Sequence, residues 1–261
     1  MKKAKDTILT IIYALVFTII VRTCLYDPYH IPSSSMTPTL RTGDKIFVNK
    51  FCYGYSKYSI PFHPIDFNNR IASNSKPIRG DVVVFTLPHD QDTFYIKRVV
   101  GLPGDKVEIK NSQIYVNNNP FEYTFVKDVP AFTDDNENIF AVKEYVELNN
   151  DGKYYTVFLT ENDVTPKKLY NVPQGMYFLM GDNRSNSGDS RFDSMGFVPF
   201  EHIIGRATTI FFSTQFGSGI LPSSIRLDRI GKSLIPDELK IIPNNDKKDE
   251  TTIMTNKIQT V

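Results

Sequence analysis

The chain has 261 residues, 30 Lys plus Arg against 29 Asp plus Glu, 41% hydrophobic residues, four His, two Cys and no Trp. That length fits one large or two small domains with a real core, and a formal charge of +1 argues against a broad electrostatic grip on nucleic acid. Cys24 and Cys52 make neither a CxxC pair nor a disulfide scaffold, and His30, His63, His89 and His202 lie scattered without an HExxH, so neither a metal nor another cofactor is expected.

The amino terminus differs from everything after it. Lys2, Lys3 and Lys5 precede an uncharged apolar run at 7–21, and Arg22 closes it. The run falls short of the roughly 20 residues a bilayer core requires, but a snorkelling Arg22 and residues 23–26 extend it to about that length. No pair of small residues suitable for cleavage follows in Arg22-Thr23-Cys24-Leu25-Tyr26-Asp27-Pro28. A retained single-pass anchor is therefore expected over a cleaved leader or a buried core helix. The lysines would hold the amino terminus in the cytoplasm, with everything from Asp27 on the outer side and membrane lipid as a partner.

Beyond residue 26 the pattern turns to short β-branched and aromatic runs between turn residues. Strands are predicted at 45–49, 81–86, 93–100, 106–116 (broken at Asn111-Ser112), 154–159, 176–180 and 203–212, which suggests a mostly β antiparallel barrel or sandwich. Gly-Asp recurs at Gly43-Asp44, Gly80-Asp81, Gly104-Asp105 and Gly181-Asp182, read as tight turns in which Gly takes a positive φ. Arg79-Gly80-Asp81 spells a cell-adhesion tripeptide but leads straight into Val82-Val83-Val84-Phe85, so it reads as a strand-entry turn. Residues 111–173 are polar and rich in turn clusters, as a smaller inserted β subdomain would be. The expected organisation is 1–26 cytoplasmic amino terminus and anchor, 27–110 first part of the catalytic core, 111–173 insert, 174–243 second part of the core, and 244–261 a disordered tail.

Three segments carry chemical potential. In Pro32-Ser33-Ser34-Ser35-Met36-Thr37-Pro38 two prolines stiffen a serine cluster that would otherwise read as linker, and a hydroxyl held rigidly is what nucleophilic catalysis needs. In Tyr95-Ile96-Lys97-Arg98-Val99-Val100 strand alternation sends Lys97 and Arg98 to opposite faces. A strand lysine commonly escapes to solvent at a sheet edge; if Lys97 is buried instead, desolvation lowers its pKa towards neutrality and makes it a general base. The third segment, Gly181-Asp182-Asn183-Arg184-Ser185-Asn186-Ser187-Gly188-Asp189-Ser190-Arg191, is either a surface loop or a hydrogen-bonded brace for a catalytic group. His30, five residues from Ser35, cannot reach it along an extended loop.

In order and placement after one apolar span, the three segments together resemble the type I signal peptidases, membrane-anchored serine proteases that remove signal peptides from exported proteins. The likeness covers about residues 7–240 and includes Gly43-Asp44 and Arg79-Gly80-Asp81-Val82-Val83-Val84-Phe85. It implies a Ser/Lys dyad with Ser35 as nucleophile and Lys97 as general base, Ser33 in the oxyanion hole, and Ser187 orienting the lysine amine. Asp189 with Arg191, and Asp182 with Arg98, are matched to structural ion pairs. The implied setting is the bacterial inner membrane with the catalytic domain on the outer, periplasmic side, and the implied partners are signal peptides of secreted precursors with small residues at −1 and −3. No nucleic acid and no metal is called for. No role carries over to Cys24 or Cys52, and no disulfide between them is expected. Two alternatives stand beside this reading. One is a self-cleaving Ser–Lys repressor, which would carry a DNA-binding helix-turn-helix instead of an anchor; the other is a membrane-anchored β module that binds precursors without cutting, which would lack Ser35 or Lys97.

Overall fold

A computed structural model describes residues 2–59, 70–72, 75–133, 139–160, 167–216 and 222–238. In chain order the elements are α1 (Lys2–Cys24), β1 (Tyr26–His30), β2 (Asp44–Asn49), β3 (Val82–Leu87), β4 (Asp90–Gly101), β5 (Lys106–Lys110), β6 (Gln113–Val116), β7 (Asn119–Pro120), β8 (Glu122–Thr133), β9 (Ile139–Leu148), β10 (Lys153–Leu159), β11 (Lys168–Asn171), β12 (Met176–Met180), β13 (Val198–Pro199), β14 (Ile203–Phe216), β15 (Pro222–Ile225) and β16 (Asp237–Glu238). The tail at 244–261 and His63 lie outside the described residues.

The strands form three sheets, and every paired ladder in them is antiparallel. The largest runs β1-β2-β14-β3-β4-β12-β13, with β15 against β14; the others run β16-β10-β9-β8 and β11-β5-β6-β7. In β2 the alternation is clean, with Asp44, Ile46 and Val48 buried and Lys45 and Phe47 exposed. β3 is buried on both faces, so its period of two feeds two cores. Val82 and Val84 join Ile31, Met36, Leu40, Ile46 and Ile210 on one side. On the other, Val83 and Phe85 join Val99, Tyr177, Leu179 and Ile203. A third core under the small sheet gathers Val107, Ile109, Ile114, Val116, Phe121 and Phe178. Each such side chain contributes about 1.5–3 kcal/mol by leaving water.

Turn chemistry follows the sequence closely. Asn111 and Ser112 both take positive φ, 50° and 60°, as the two-residue hairpin between β5 and β6 requires. Three of the four Gly-Asp glycines, Gly43, Gly80 and Gly104, have φ between 91° and 95°. Gly181 departs from the expected turn role: it does not share that positive φ and is required for close approach instead. A Cβ there would stand 2.3 Å from Ser187 Oγ and 2.4 Å from the Ser35 carbonyl oxygen.

The amino-terminal expectation is met only as a helix. Among the described residues no helix is long and apolar enough to cross a membrane. Lys3, Lys5 and Asp6 occupy the first turns of α1 and Arg22 its last, so the uncharged stretch rises only about 23 Å against a bilayer core of about 30 Å. Within the irregular-looking segment β7, β8, β9 and β11 are strands that the sequence pattern does not mark, β8 and β9 being the long ones. β8 and β9 pair from Glu122↔Leu148 to Thr133↔Ile139, and their charged faces hide the alternation that would have marked them.

Candidate active site

The serine loop joins β1 to β2. At its base, Ile31 N–H donates to Asp44 O and Gly43 N–H to Ile31 O, both at 2.9 Å. Within it Thr37 N–H donates to Ser34 O at 3.0 Å and Leu40 N–H to Met36 O at 2.9 Å. Ile31, Met36 and Leu40 sink into the first core, so apolar anchors on either side fix the height at which Ser33 and Ser35 stand. The Asp44 carboxylate pins the loop's far end. It accepts from Arg229 at 2.6 Å, Ser213 Oγ at 2.6 Å and Arg41 N–H at 2.8 Å. Burial pushes its pKa up, but these donors outweigh burial and hold it below the ordinary value.

Lys97 lies in β4, which stands between β3 and β12 in the large sheet, and it pairs with Val83 of β3. Only 5% of it is exposed, and its Nζ donates to Ser35 Oγ at 2.6 Å. Ser33 Oγ stands 3.4 Å from Ser35 Oγ. A serine hydroxyl this close to a buried amine is within the reach over which a proton passes from nucleophile to base. Ser187 is buried beside Gly181, but its Oγ has no hydrogen-bond partner among the described residues, so the expected bond to the lysine amine is not made. The Lys97 amine is turned to Ser35 instead.

The third segment braces both sides of this pair. Arg98, next to Lys97, meets Asp182 in a bidentate pair at 2.7 and 2.5 Å, both side chains being at most 1% exposed. Burial works against the Arg98 charge, and the neighbouring Asp182 carboxylate more than offsets it, raising the guanidinium pKa. Asp189 pairs with Arg191 at 2.8 and 2.9 Å and accepts the Gly181 N–H at 3.0 Å, folding the loop back onto β12.

Three side chains that the motifs did not single out belong to the same assembly. Asn183 holds two consecutive carbonyls of the serine loop, its N–H donating to Ser35 O at 3.1 Å and its Nδ2 to Ser34 O at 3.3 Å. Arg184 forms a buried bidentate pair with Glu147 of β9. Asn183 and Arg184 lay inside a recognised segment and were overlooked as individuals. Glu147 sits in a stretch with no motif, and nothing short of the tertiary structure points to it.

Among the described residues no histidine hydrogen-bonds to Ser35. His202 is buried on Tyr58, ring centroids 4.4 Å apart, with Nδ1 3.2 Å from Thr86 Oγ1. Cys52 is a free thiol that donates to Asn49 O at 3.1 Å. No group of His, Cys, Asp and Glu among the described residues is placed to hold a metal ion.

A serine hydroxyl held against a buried lysine amine brings the serine hydrolases into view. Residues 4–212 match the family described as "Signal peptidase, peptidase S26". The chain is 35% identical over 257 residues to a protein named Signal peptidase I from Rickettsia typhi, covering 89% of this chain and 95% of that one. It is 38% identical over 224 residues to a Signal peptidase I from Rickettsia massiliae, covering 82% of each. A solved signal peptidase I from Enterococcus faecalis V583 aligns at 29% identity over 51% of this chain and 98% of that chain, with a TM-score of 0.30. The match to the family and the two rickettsial relatives settle the assignment: the chain belongs to the signal peptidase family and is a serine peptidase.

Proposed function

We propose that the chain is an endopeptidase that cleaves signal peptides from exported precursors at the outer face of a bacterial membrane, with Ser35 as nucleophile and Lys97 as general base. The observation that carries the reading is the 2.6 Å contact between Lys97 Nζ and Ser35 Oγ, two groups 62 residues apart in sequence. Neutral Lys97 takes the hydroxyl proton as Ser35 Oγ attacks the carbonyl carbon before the scissile bond. The oxyanion is received by Ser33 Oγ and the Ser35 N–H, and the lysinium hands its proton to the leaving nitrogen as the C–N bond breaks. A water deprotonated by the same amine then opens the acyl ester and returns the proton to Ser35. Once Ser35 Oγ is the ester oxygen of the acyl-enzyme it is no longer the hydroxyl that Lys97 faces, and the unpartnered Ser187 hydroxyl is the group that then orients the amine.

The substrate is an extended chain with small residues at −1 and −3, paired along a strand edge. The setting we propose is single-pass at the inner membrane with α1 as anchor, its amino terminus cytoplasmic and the β body outside. The lysines before residue 7 and the exposed apolar side chains from Ile8 to Phe17 favour it. Residues 111–173 form an inserted subdomain in this reading. Incubating the purified protein with one exported precursor in detergent and mapping the new amino terminus tests it. Ser35→Ala and Lys97→Ala should each abolish the cut with the fold intact, and turnover persisting in either refutes the dyad.

A further inference from the structure

We infer that Glu147, on the sheet of β8, β9, β10 and β16, is a positioning residue that sets the geometry of both members of the Ser35–Lys97 pair. The inference rests on the dyad reading above and adds a residue outside every recognised segment.

Glu147 is fully buried and Arg184 is 2% exposed. Isolated carboxylates and guanidiniums are not kept at such depth, so their pairing fixes where each stands. Arg184 Nη2 donates to Glu147 Oε1 at 2.7 Å, and Nη1 to Oε2. The rest of Arg184 is tied to the active-site loop: Nε donates to Gly181 O at 3.1 Å, and its carbonyl accepts from Arg191 Nη2 at 2.6 Å. The next residue back, Asn183, holds the carbonyls of Ser34 and Ser35. One path from Glu147 therefore ends on the backbone of the nucleophile.

The second path ends on the lysine strand. Tyr155 OH donates to Glu147 Oε1 at 2.7 Å. The Tyr155 ring lies under the Arg98 guanidinium at 3.8 Å, and Arg98 follows Lys97 in β4. β10 adds a backbone clamp, with Phe158 N–H donating to Asp182 O at 2.8 Å and Arg184 N–H to Phe158 O at 2.9 Å. Glu147 is the point at which these two paths meet. A shift in it moves the serine loop and the lysine strand relative to each other, and about 1 Å of misplacement costs about 100-fold in rate.

The test measures kcat, KM and Tm of the full chain in detergent on a precursor peptide with small residues at −1 and −3, with Ser35→Ala as blank. Glu147→Asp keeps the charge and the fold but is one methylene too short to hold both guanidinium nitrogens. Its kcat should fall about 10- to 100-fold, with KM within about twofold. Glu147→Leu with Arg184→Leu removes the buried charges together; Tm should stay near wild type while kcat stays depressed. Wild-type kcat in Glu147→Asp overturns the inference, as does a loss confined to KM. Recovery of kcat along with Tm in the double variant also overturns it, since that marks a purely structural pair. Turnover in the Ser35→Ala blank would instead refute the dyad reading.

Discussion

Replacing Asp182 by Asn leaves the shape of the Arg98 site almost unchanged and removes its counter-charge. In the wild type Arg98 is 1% exposed and donates twice to the carboxylate, at 2.7 and 2.5 Å, once to Gly80 O at 2.7 Å and once to Thr39 Oγ1 at 3.2 Å. An asparagine presents one acceptor and one NH₂. One guanidinium donor keeps a partner, and the other faces a second donor across a gap that water cannot fill. Stranding one half of a buried pair costs about 3–5 kcal/mol. For a chain of this size each kcal/mol lowers Tm by about 2–4 °C, so Asp182→Asn should melt about 6–20 °C below wild type. Circular dichroism melts in detergent at neutral pH measure this. Arg98→Met with Asp182→Leu should recover most of the loss, less the about 1–3 kcal/mol for the orphaned Gly80 carbonyl. A drop below about 2 °C in Asp182→Asn would refute the reasoning, since about 1 kcal/mol or less is what a solvent-exposed pair contributes.

Gly181→Ala drives a methyl to within 2.4 Å of the Ser35 carbonyl oxygen, which is backbone and cannot swing aside; kcat should fall about tenfold or more, and a wild-type rate would show that the serine loop yields freely. The donors around Asp44 hold its carboxyl below the ordinary aspartate value of 3.8, so its stabilisation is complete above that pH and is lost as pH falls through the depressed pKa. Asp44→Asn should therefore melt well below wild type at pH 7, with the gap closing below about pH 3.8; a constant gap would contradict the assignment. Burial, aided by the nearby Lys57 charge, lowers the His202 pKa from 6.5. The unfolded chain then takes up its proton first, and stability falls as pH drops through 6.5, by at most about 1.4 kcal/mol per pH unit. His202→Gln should flatten the Tm profile between pH 7.5 and 5.5, and an unchanged slope would place the titration elsewhere.

Much of this protein is determined by local sequence. Val82 to Leu87 reads as a strand because six β-branched, aromatic or apolar residues suit burial on both faces of a sheet. The β5–β6 turn is written in Asn111-Ser112, which accept positive φ. The serine cluster between Pro32 and Pro38 and the strand lysine Lys97 stand out locally, but the choice of Ser35 as nucleophile and Lys97 as base comes from the resemblance to the signal peptidases. What the chain could not state locally is where distant groups meet. The hydroxyl stands 2.6 Å from the amine only because β4 stands between β3 and β12 and the serine loop is anchored by Ile31, Met36 and Leu40. Gly181 looked like one more turn glycine, and only the packing of Ser187 and Ser35 against it gives the real constraint. Glu147 gave no signal, since an acidic residue in a charged strand reads as a solvated face. Its burial against Arg184 exists only when β9 closes over the third segment. Periodicity and turn chemistry act over a few residues and survive in the sequence, whereas ion pairs, orphaned hydroxyls and clashes depend on long-range packing that the tertiary structure alone decides.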